Sequence, residues 1–295
     1  MGFDRRWLRV AFDRAAPHYD AAAALQRTVA DSLLERLDFI RLSPHRVVDV
    51  GAGTGYCSSA LARRYPRARV VALDISPAML AHARLRAPRL FSRQHFLCSD
   101  AAAMALRRDA CDLVFSSLTL QWCEDLDRTL AELWRVCAPG GLLLFSTLGP
   151  DTLRELRDSW TRAEGHGATH VNAFLDMHVV GDRLVRAGVS DVVMDVDRAQ
   201  RRYPDVTALM RELKAVGAHN VNATRARQLT GPGVLAGVRQ AYETYRQDDG
   251  MLPATYEVVY GHAWKPEAPG NLAVRWHPPP PSAGHSASGQ TDLAP

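Results

Sequence analysis

Short runs of apolar residues alternate with helical patterns through the middle of the chain. Five such runs, rich in β-branched and aliphatic side chains, predict strands at 47–50, 70–75, 95–98, 113–118 and 142–148. Strands that alternate with helices in this way form right-handed βαβ units and a parallel sheet. The pattern therefore predicts an α/β core with helices on both faces of the sheet.

The boundaries of these helices carry local signals of their own. Ser76 followed by Pro77 is typical of a helix start, where a side-chain cap precedes a proline in the first helical position. The run Ala-Pro-Gly-Gly at 138–141 predicts the end of a helix that carries Leu130 and Val136. Each helix is thus placed between two strands.

Further elements are predicted before and after this core. Apolar spacing through Val29, Leu33 and Leu37 predicts helices in the first 40 residues. The later pattern predicts helices at 150–160, 205–216 and 234–245, a helix that ends over 181–187, and strands at 192–196 and 256–264. The sum is a Rossmann-like fold with a seven-stranded, mostly parallel sheet and a helical insertion before the last strand.

The chain is expected to divide into four segments. We predict a helical flap at 1–44, a cofactor-binding core at 45–150, substrate-side helices and closing strands of the same domain at 151–265, and a disordered tail at 266–295. The tail is rich in Pro, Gly, Ser and Ala, a composition that cannot bury enough apolar surface to order itself.

Length, charge and cysteine content exclude some classes of protein but do not identify the function. The chain has 295 residues and a net charge of +4, and no stretch approaches the roughly 20 apolar residues of a membrane-spanning helix. No signal-peptide core follows the N-terminus, and the five cysteines form no C-x-x-C pair. We therefore expect free thiols in the cytoplasm and no membrane partner. No metal site is expected either, because a tight ligand spacing is lacking among His166, His170 and His178.

A glycine-rich turn follows the first predicted strand. Gly51, Gly53 and Gly55 come directly after the run 47–50, and a helix is predicted from Tyr56 onward. Glycines let a ligand approach the backbone closely at the carboxyl end of this strand, where open α/β sheets bind ligands. Tyr56 stands where a dinucleotide-binding motif has its third glycine, which argues against NAD.

Acidic residues at three strand ends indicate the kind of ligand. Asp49 would repel a phosphate but suits a ligand with an ammonium and a sulfonium, such as S-adenosylmethionine. Asp74 is placed to accept the ribose hydroxyls, and Asp100 could accept the adenine amino group. The expected cofactor site comprises Asp49, Gly51, Gly53, Gly55, Asp74, Ile75, Asp100, Ala101 and Ser117. This pattern resembles the class I S-adenosylmethionine-dependent methyltransferases.

Longer segments resemble one family within that superfamily, the malonyl-[acyl-carrier protein] O-methyltransferases of biotin synthesis. The resemblance spans roughly residues 5–265 and is carried by 12–20, 116–123, 145–157, 170–174, 176–178, 217–220 and 252–264. It implies methylation of the free carboxylate of a malonyl thioester on acyl carrier protein. The resulting methyl ester can then be elongated as a biotin precursor.

The resemblance also implies roles for residues outside the cofactor motifs. Tyr19 matches a tyrosine of an N-terminal helix that faces the methyl group, where its hydroxyl would orient the acceptor carboxylate. No general base is expected, because a malonyl carboxylate is already ionised at pH 7. Contacts with the substrate or the acidic carrier protein are expected from Gln121, Trp122, Arg154, Arg157, His219 and Asn220. The two arginines are three apart on a predicted helix and so share one face.

Three other interpretations stay open from the sequence. A methyltransferase of the same fold could act on a small free carboxylic acid or a quinone precursor, because its glycine turn would look the same. A nucleic-acid-binding protein is suggested by Arg198, Arg201, Arg202, Arg225 and Arg227. These arginines are spaced among other residues, as on solvated faces, rather than in one dense basic run. A non-catalytic interaction domain would leave the acidic and glycine residues without a chemical purpose.

Overall fold

One seven-stranded sheet forms the centre of the structure, a computed structural model that describes residues 5–88, 90, 92–165, 170–218 and 230–267. Its strands are β1 (Arg46–Val50), β2 (Arg69–Asp74), β3 (Gln94–Cys98), β4 (Cys111–Ser116), β5 (Cys137–Leu148), β6 (Val193–Tyr203) and β7 (Leu252–Trp264). They lie in the order β3-β2-β1-β4-β5-β7-β6. The first five pair in parallel, whereas β7 is antiparallel to both β5 and β6. The predicted mostly parallel sheet is confirmed.

Helices precede, connect and follow these strands. Those of the described residues are α1 (Arg5–Ala15), α2 (Tyr19–Ala22), α3 (Ala24–Glu35), α4 (Tyr56–Arg64), α5 (Pro77–Arg86), α6 (Leu126–Val136), α7 (Arg154–Glu164), α8 (Met177–Arg186), α9 (Val206–Ala215) and α10 (Pro232–Glu243). Short 3₁₀ turns lie at Arg36–Phe39 and Leu120–Trp122. Ser76 caps α5 as predicted, since its Oγ accepts the Met79 N–H. The expected helical insertion before the last strand is α9 and α10.

Each face of the sheet is covered by helices. Successive strand residues point to opposite faces, so Val47 of β1 packs into a core with Leu33 of α3, while Val48 packs into another with Leu130 of α6. All four side chains are buried. Burial on both faces explains why these strands read as continuous apolar runs rather than as an alternating pattern.

The helix predicted at 150–160 begins later than expected. Leu153 has a left-handed backbone with φ of 55°, and α7 starts only at Arg154. The Leu153 N–H donates to the carbonyl oxygen of Thr255 in β7 at 2.7 Å, which fixes this turn against the sheet. A contact between residues so distant in sequence leaves no local signal.

The run 138–141 is part of β5 and not a separate helix-ending turn. The preceding helix, α6, does end at Val136, but β5 begins at the next residue, Cys137. Gly140 N–H donates to Lys265 O, and Lys265 N–H donates to Gly141 O, each at 2.8 Å. The segment after β7 thus extends the ladder and holds these glycines in the sheet.

The two C-terminal strands are longer than predicted. The sequence placed them at 192–196 and 256–264, whereas they pair from Val193 opposite His262 to Tyr203 opposite Leu252. The edge strand β6 exposes polar side chains such as Asp195 and Arg198, so it does not form an apolar run. None of the described helices is long and apolar enough to cross a membrane. The predicted tail lies outside the described residues from 268 onward.

Candidate active site

The glycine-rich turn after β1 leaves no room for a larger side chain at two of its three glycines. Gly51, Gly53 and Gly55 all have positive φ angles. A Cβ on Gly51 would lie 2.0 Å from the Oγ1 of Thr119, and one on Gly55 would lie 2.8 Å from the Cβ of Ala83. These two glycines therefore let the turn pass close to the neighbouring segments.

Asp74 lies at the end of β2 and joins this turn to the start of α5. Its Oδ2 accepts the Gly53 N–H and its Oδ1 accepts the Ser76 N–H, both at 2.8 Å. Burial raises the pKa of the carboxyl group, while the backbone hydrogen bonds oppose that shift. Each carboxylate oxygen can accept a second hydrogen bond, so Asp74 keeps acceptor capacity for the hydroxyls of a ligand.

Asp49 is the most deeply buried acidic group of the site, with only 1% of its surface exposed. Its Oδ2 accepts a hydrogen bond of 2.6 Å from the Ser58 hydroxyl. Burial raises the pKa of Asp49 to about 7, although the bond from Ser58 opposes the shift and nearby Asp74 adds to it. Within the described residues neither Asp49 nor Asp74 has an ion-pair partner.

A cavity opens in front of these strand ends, where open α/β sheets bind their ligands. The predicted cofactor residues that line it are Gly51, Asp74, Ile75, Asp100, Ala101 and Ser117. Asp49 lines an adjoining cavity, which we call the turn cavity, together with Gly51 and Ser117. Gly53 and Gly55 line neither cavity but lie in the same turn, and the Gly53 N–H bonds Asp74. Seen together, the predicted cofactor residues converge on one place.

The N-terminal helices cover this cavity and are pinned to the core by acidic side chains. Asp13 accepts the Ser76 hydroxyl at 2.6 Å, and Asp20 accepts the Thr54 hydroxyl at 2.6 Å. Arg5 bonds the Oδ2 of Asp100 at 2.9 Å. Sequence reasoning did not single out these anchors, although Asp13 and Asp20 stand within the segment 12–20 that carried the family resemblance.

Tyr19 lies where three cavities meet. It lines the main cofactor cavity, the turn cavity and a third cavity, which we call the acceptor cavity. Burial, and next the charge of Asp74, raises the pKa of its phenol well above the usual value. Tyr19 therefore stays a neutral hydroxyl donor at any physiological pH.

The acceptor cavity has a mainly apolar lining with a few polar groups. Trp122 lines both this cavity and the cofactor cavity, and its ring packs edge-on against Phe12 of α1 at 5.6 Å. Gln121 also lines it, but its Nε2 donates to the Leu118 carbonyl at 2.7 Å and its Oε1 accepts from Thr147 at 3.2 Å. These bonds hold Gln121 as part of the wall.

The other predicted substrate or partner residues have different positions. Arg154 is 54% exposed on α7, and among the described residues its ion pair is a 3.5 Å contact with Glu155. Arg157 is turned inward instead, where it donates to the carbonyl oxygens of Pro150 and Thr152 at 3.1 and 2.9 Å. The predicted contacts of His219 and Asn220 lie outside the described residues.

Histidines do not form a metal site in the part of the chain that the structure describes. His170 contacts Glu164 at 2.6 Å and stacks on Trp160, with ring centroids 3.7 Å apart. His178 contacts Asp176 at 2.8 Å near the start of α8. His166 lies outside the described residues.

Comparison with known proteins agrees with this geometry. Residues 48–145 match the family model described as a methyltransferase domain. The Bacillus YcgJ crystal structure, 15% identical, superposes with a TM-score of 0.56 over 81% of this chain and 99% of that one, and so shares the fold. A malonyl-[acyl-carrier protein] O-methyltransferase from a Methylovorus species is 50% identical over 90% of each chain. Another of that name, from Laribacter hongkongensis, is 49% identical over 95% of this chain and 98% of its own.

The chain belongs to the malonyl-[acyl-carrier protein] O-methyltransferase family. The residues that the structure describes form a site that fits S-adenosylmethionine, the methyl donor of such enzymes. Two buried carboxylates, Asp49 and Asp74, line these cavities and have no cationic partner among the described residues, and a buried charge requires one. A ligand that carries an ammonium and a sulfonium would supply it.

Because the pKa of Asp49 is raised to about 7, we expect cofactor binding to depend on pH. A bound cation favours the ionised carboxylate, so below about pH 7 Asp49 must lose a proton when the ligand binds. We expect the Kd of S-adenosylhomocysteine, which keeps the ammonium, to rise up to about tenfold per pH unit below that value and to level off above it. Calorimetry at pH 6, 7 and 8 measures this. Asp49→Asn should bind more weakly at pH 8 and lose the dependence; a variant with the wild-type pH profile would rule Asp49 out as its source.

Proposed function

We propose that this chain transfers the methyl group of S-adenosylmethionine to the free carboxylate of a malonyl thioester on acyl carrier protein. The product is the malonyl methyl ester that primes pimelate synthesis for biotin. The observation that carries the proposal is the similarity, near 50% identity over nine-tenths of the chain, to proteins named for this reaction. The free cysteines of the described residues suit a reducing compartment, and we place the reaction in the cytoplasm.

The reaction requires little acid–base catalysis by the protein. S-adenosylmethionine supplies a methyl group activated by a positive sulfur, and the acceptor carboxylate is already ionised at neutral pH. The residues of the chain must hold the acceptor oxygen in line with the methyl carbon and keep water away. Tyr19, as a neutral donor between the cofactor and acceptor cavities, is suited to orient the carboxylate. Apolar side chains such as Leu148 and Leu156 exclude water around it.

The alternative acceptors differ in whether a carrier protein is needed. A panel of malonyl-carrier protein, malonyl-coenzyme A, free malonate and a quinone precursor, each with labelled cofactor, separates them. The proposal requires that malonyl-carrier protein have the highest kcat/KM. Preferential methylation of free malonate or of the quinone precursor would establish the alternative.

The arginines that suggested a nucleic-acid substrate form contacts in the structure that argue against one. Arg198 pairs with Asp151 at 3.1 Å, and Arg201 lies 3.6 Å from Glu212. Arg202 pairs with Asp249. The other two, Arg225 and Arg227, lie outside the described residues. Side chains engaged with carboxylates are poorly suited to neutralise phosphates.

We expect Arg154 to contribute to docking of the acidic carrier protein. It directly follows Leu153, which lines the acceptor cavity, and its guanidinium is exposed. Arg154→Gln should lower kcat/KM for malonyl-carrier protein about two- to fivefold at low salt, and less as salt rises, because exposed charges act mainly on association. Glutamine is preferred to glutamate because buried Glu155 lies beside it. Steady-state rates at several salt concentrations measure the effect.

A small malonyl thioester without the carrier is the matched control for this substitution. Its rate should be nearly unchanged in Arg154→Gln. Arg69→Gln, at the opposite end of β2 from the site, should leave both substrates unaffected. An equal loss on both substrates for Arg154→Gln would assign this arginine to the active site or the fold instead.

A further inference from the structure

Three side chains form the boundary between the turn cavity and the acceptor cavity. Tyr19, Gln26 and Leu118 line both spaces. The turn cavity also contains Asp49 and Gly51, which belong to the expected cofactor site. Gln26 therefore lies next to Tyr19, the side chain that also lines the main cofactor cavity.

Gln26 has a polar atom that is buried without a partner. Its Oε1 is inaccessible to solvent and accepts no hydrogen bond within the described residues. Among these residues, no hydrogen bond to Oε1 therefore holds the amide in one orientation. The residue stands in the first turn of α3, whose neighbouring Leu25 and Val29 are buried in the core, so its backbone is held firmly.

The charged groups around the acceptor cavity determine which side chains could bind a carboxylate there. Among the described residues that line the cavity, none is an arginine or a lysine. Its acidic and histidine lining groups are already engaged: Glu212 accepts from the Tyr203 hydroxyl at 3.0 Å and lies near Arg201, and His170 contacts Glu164. Among the described residues, only neutral donors are available to hold a carboxylate that enters.

We propose that the side-chain amide of Gln26 binds the acceptor carboxylate during methyl transfer, a role that rests on the proposed function. Its Nε2–H group donates to one carboxylate oxygen in the acceptor cavity, which Gln26 lines. The other oxygen remains free to react. Its lone pair forms the new O–C bond while the C–S bond breaks and that electron pair stays on sulfur, so no proton moves. Tyr19 supplies the second neutral donor.

A neutral donor suits this reaction better than an arginine. An ion pair would lower the nucleophilicity of the oxygen and, once the neutral ester has formed, would leave a buried cation without its partner. An amide loses only part of one hydrogen bond when the carboxylate becomes an ester, which makes release of the product easier. Gln26 thus combines recognition of a charged acceptor with release of an uncharged product.

Substitution of Gln26 by methionine tests the role with little change in volume. Gln26→Met should lower kcat/KM for malonyl-carrier protein about 10- to 100-fold, with the Kd of S-adenosylhomocysteine within about twofold of wild type. Glu35→Gln, at the exposed end of the same helix, should behave like wild type. Steady-state kinetics and calorimetry give the two quantities.

A glutamate at the same position supplies a readout that a packing role would not change. Gln26→Glu should be the slower variant at pH 8, where its charge repels the acceptor. Its rate should recover as pH falls and the carboxyl group becomes a neutral donor, opposite to any loss in wild type. Wild-type kcat/KM in Gln26→Met, or equal losses of rate and cofactor affinity, would overturn the role of Gln26. A wild-type enzyme inactive on every malonyl thioester would instead overturn the proposed function.

Discussion

Replacement of Asp74 by alanine should weaken the binding of S-adenosylmethionine by about 1.5–3 kcal/mol, or roughly 10- to 150-fold in Kd. Its carboxylate is only 8% exposed, lines the cofactor cavity and keeps acceptor capacity on both oxygens. Loss of these charge-assisted bonds removes affinity that no neighbouring group replaces. Calorimetry with S-adenosylhomocysteine measures the loss without turnover.

Because Asp74 also accepts the Gly53 and Ser76 N–H groups, its removal could loosen the turn. Circular dichroism and the thermal midpoint of the variant separate that effect from ligand contact. Asp38→Ala, which removes an exposed carboxylate paired with Arg64, is the control for loss of a negative charge. A folded Asp74→Ala protein with wild-type affinity would show that the carboxylate does not hold the cofactor.

Removal of the Tyr19 hydroxyl should act on the rate rather than on binding. Tyr19→Phe keeps the ring that packs between the three cavities but deletes the neutral donor, so we expect turnover to fall about 10- to 100-fold. The Kd of S-adenosylhomocysteine should change less than about twofold, because a positioned donor is felt mainly in the reactive geometry.

Tyr245→Phe provides a matched loss of a hydroxyl, since that tyrosine bonds Asp158 on α7, away from the cofactor cavity. It should turn over like wild type. Should Tyr19→Phe do the same, the hydroxyl would have no part in orienting the acceptor, and Tyr19 would serve only to pack the N-terminal helices on the core.

The sheet could be predicted because its strands are short and buried on both faces. A run such as 47–50 needs only its own residues to identify it, and the glycine turn that follows has a local spacing. Where a contact with a distant residue fixes the boundary of an element, the local sequence carries no signal for that boundary. The start of α7 depends on Leu153 bonding Thr255, and β6 carries polar side chains because it is an edge strand.

The same distinction applies to the site. Asp49 and Asp74 follow from their positions at strand ends, which the order of elements fixes. The anchors Asp13 and Asp20, by contrast, bond residues 63 and 34 positions away. Gln26 belongs to none of the sequence motifs that predicted the site. Its place between two cavities results from how α3 packs on the core, and that packing is not a local property of the sequence.

Mass spectrometry of intact acyl carrier protein tests the central claim most directly. Malonyl-carrier protein is incubated with this protein and S-adenosylmethionine, and the acyl group is then released and analysed. We expect one added methyl group, present as an ester on the malonyl carboxylate and absent when acetyl-carrier protein, which has no free carboxylate, is the substrate. Unmodified malonyl-carrier protein alongside methylation of a small free acid would contradict the account.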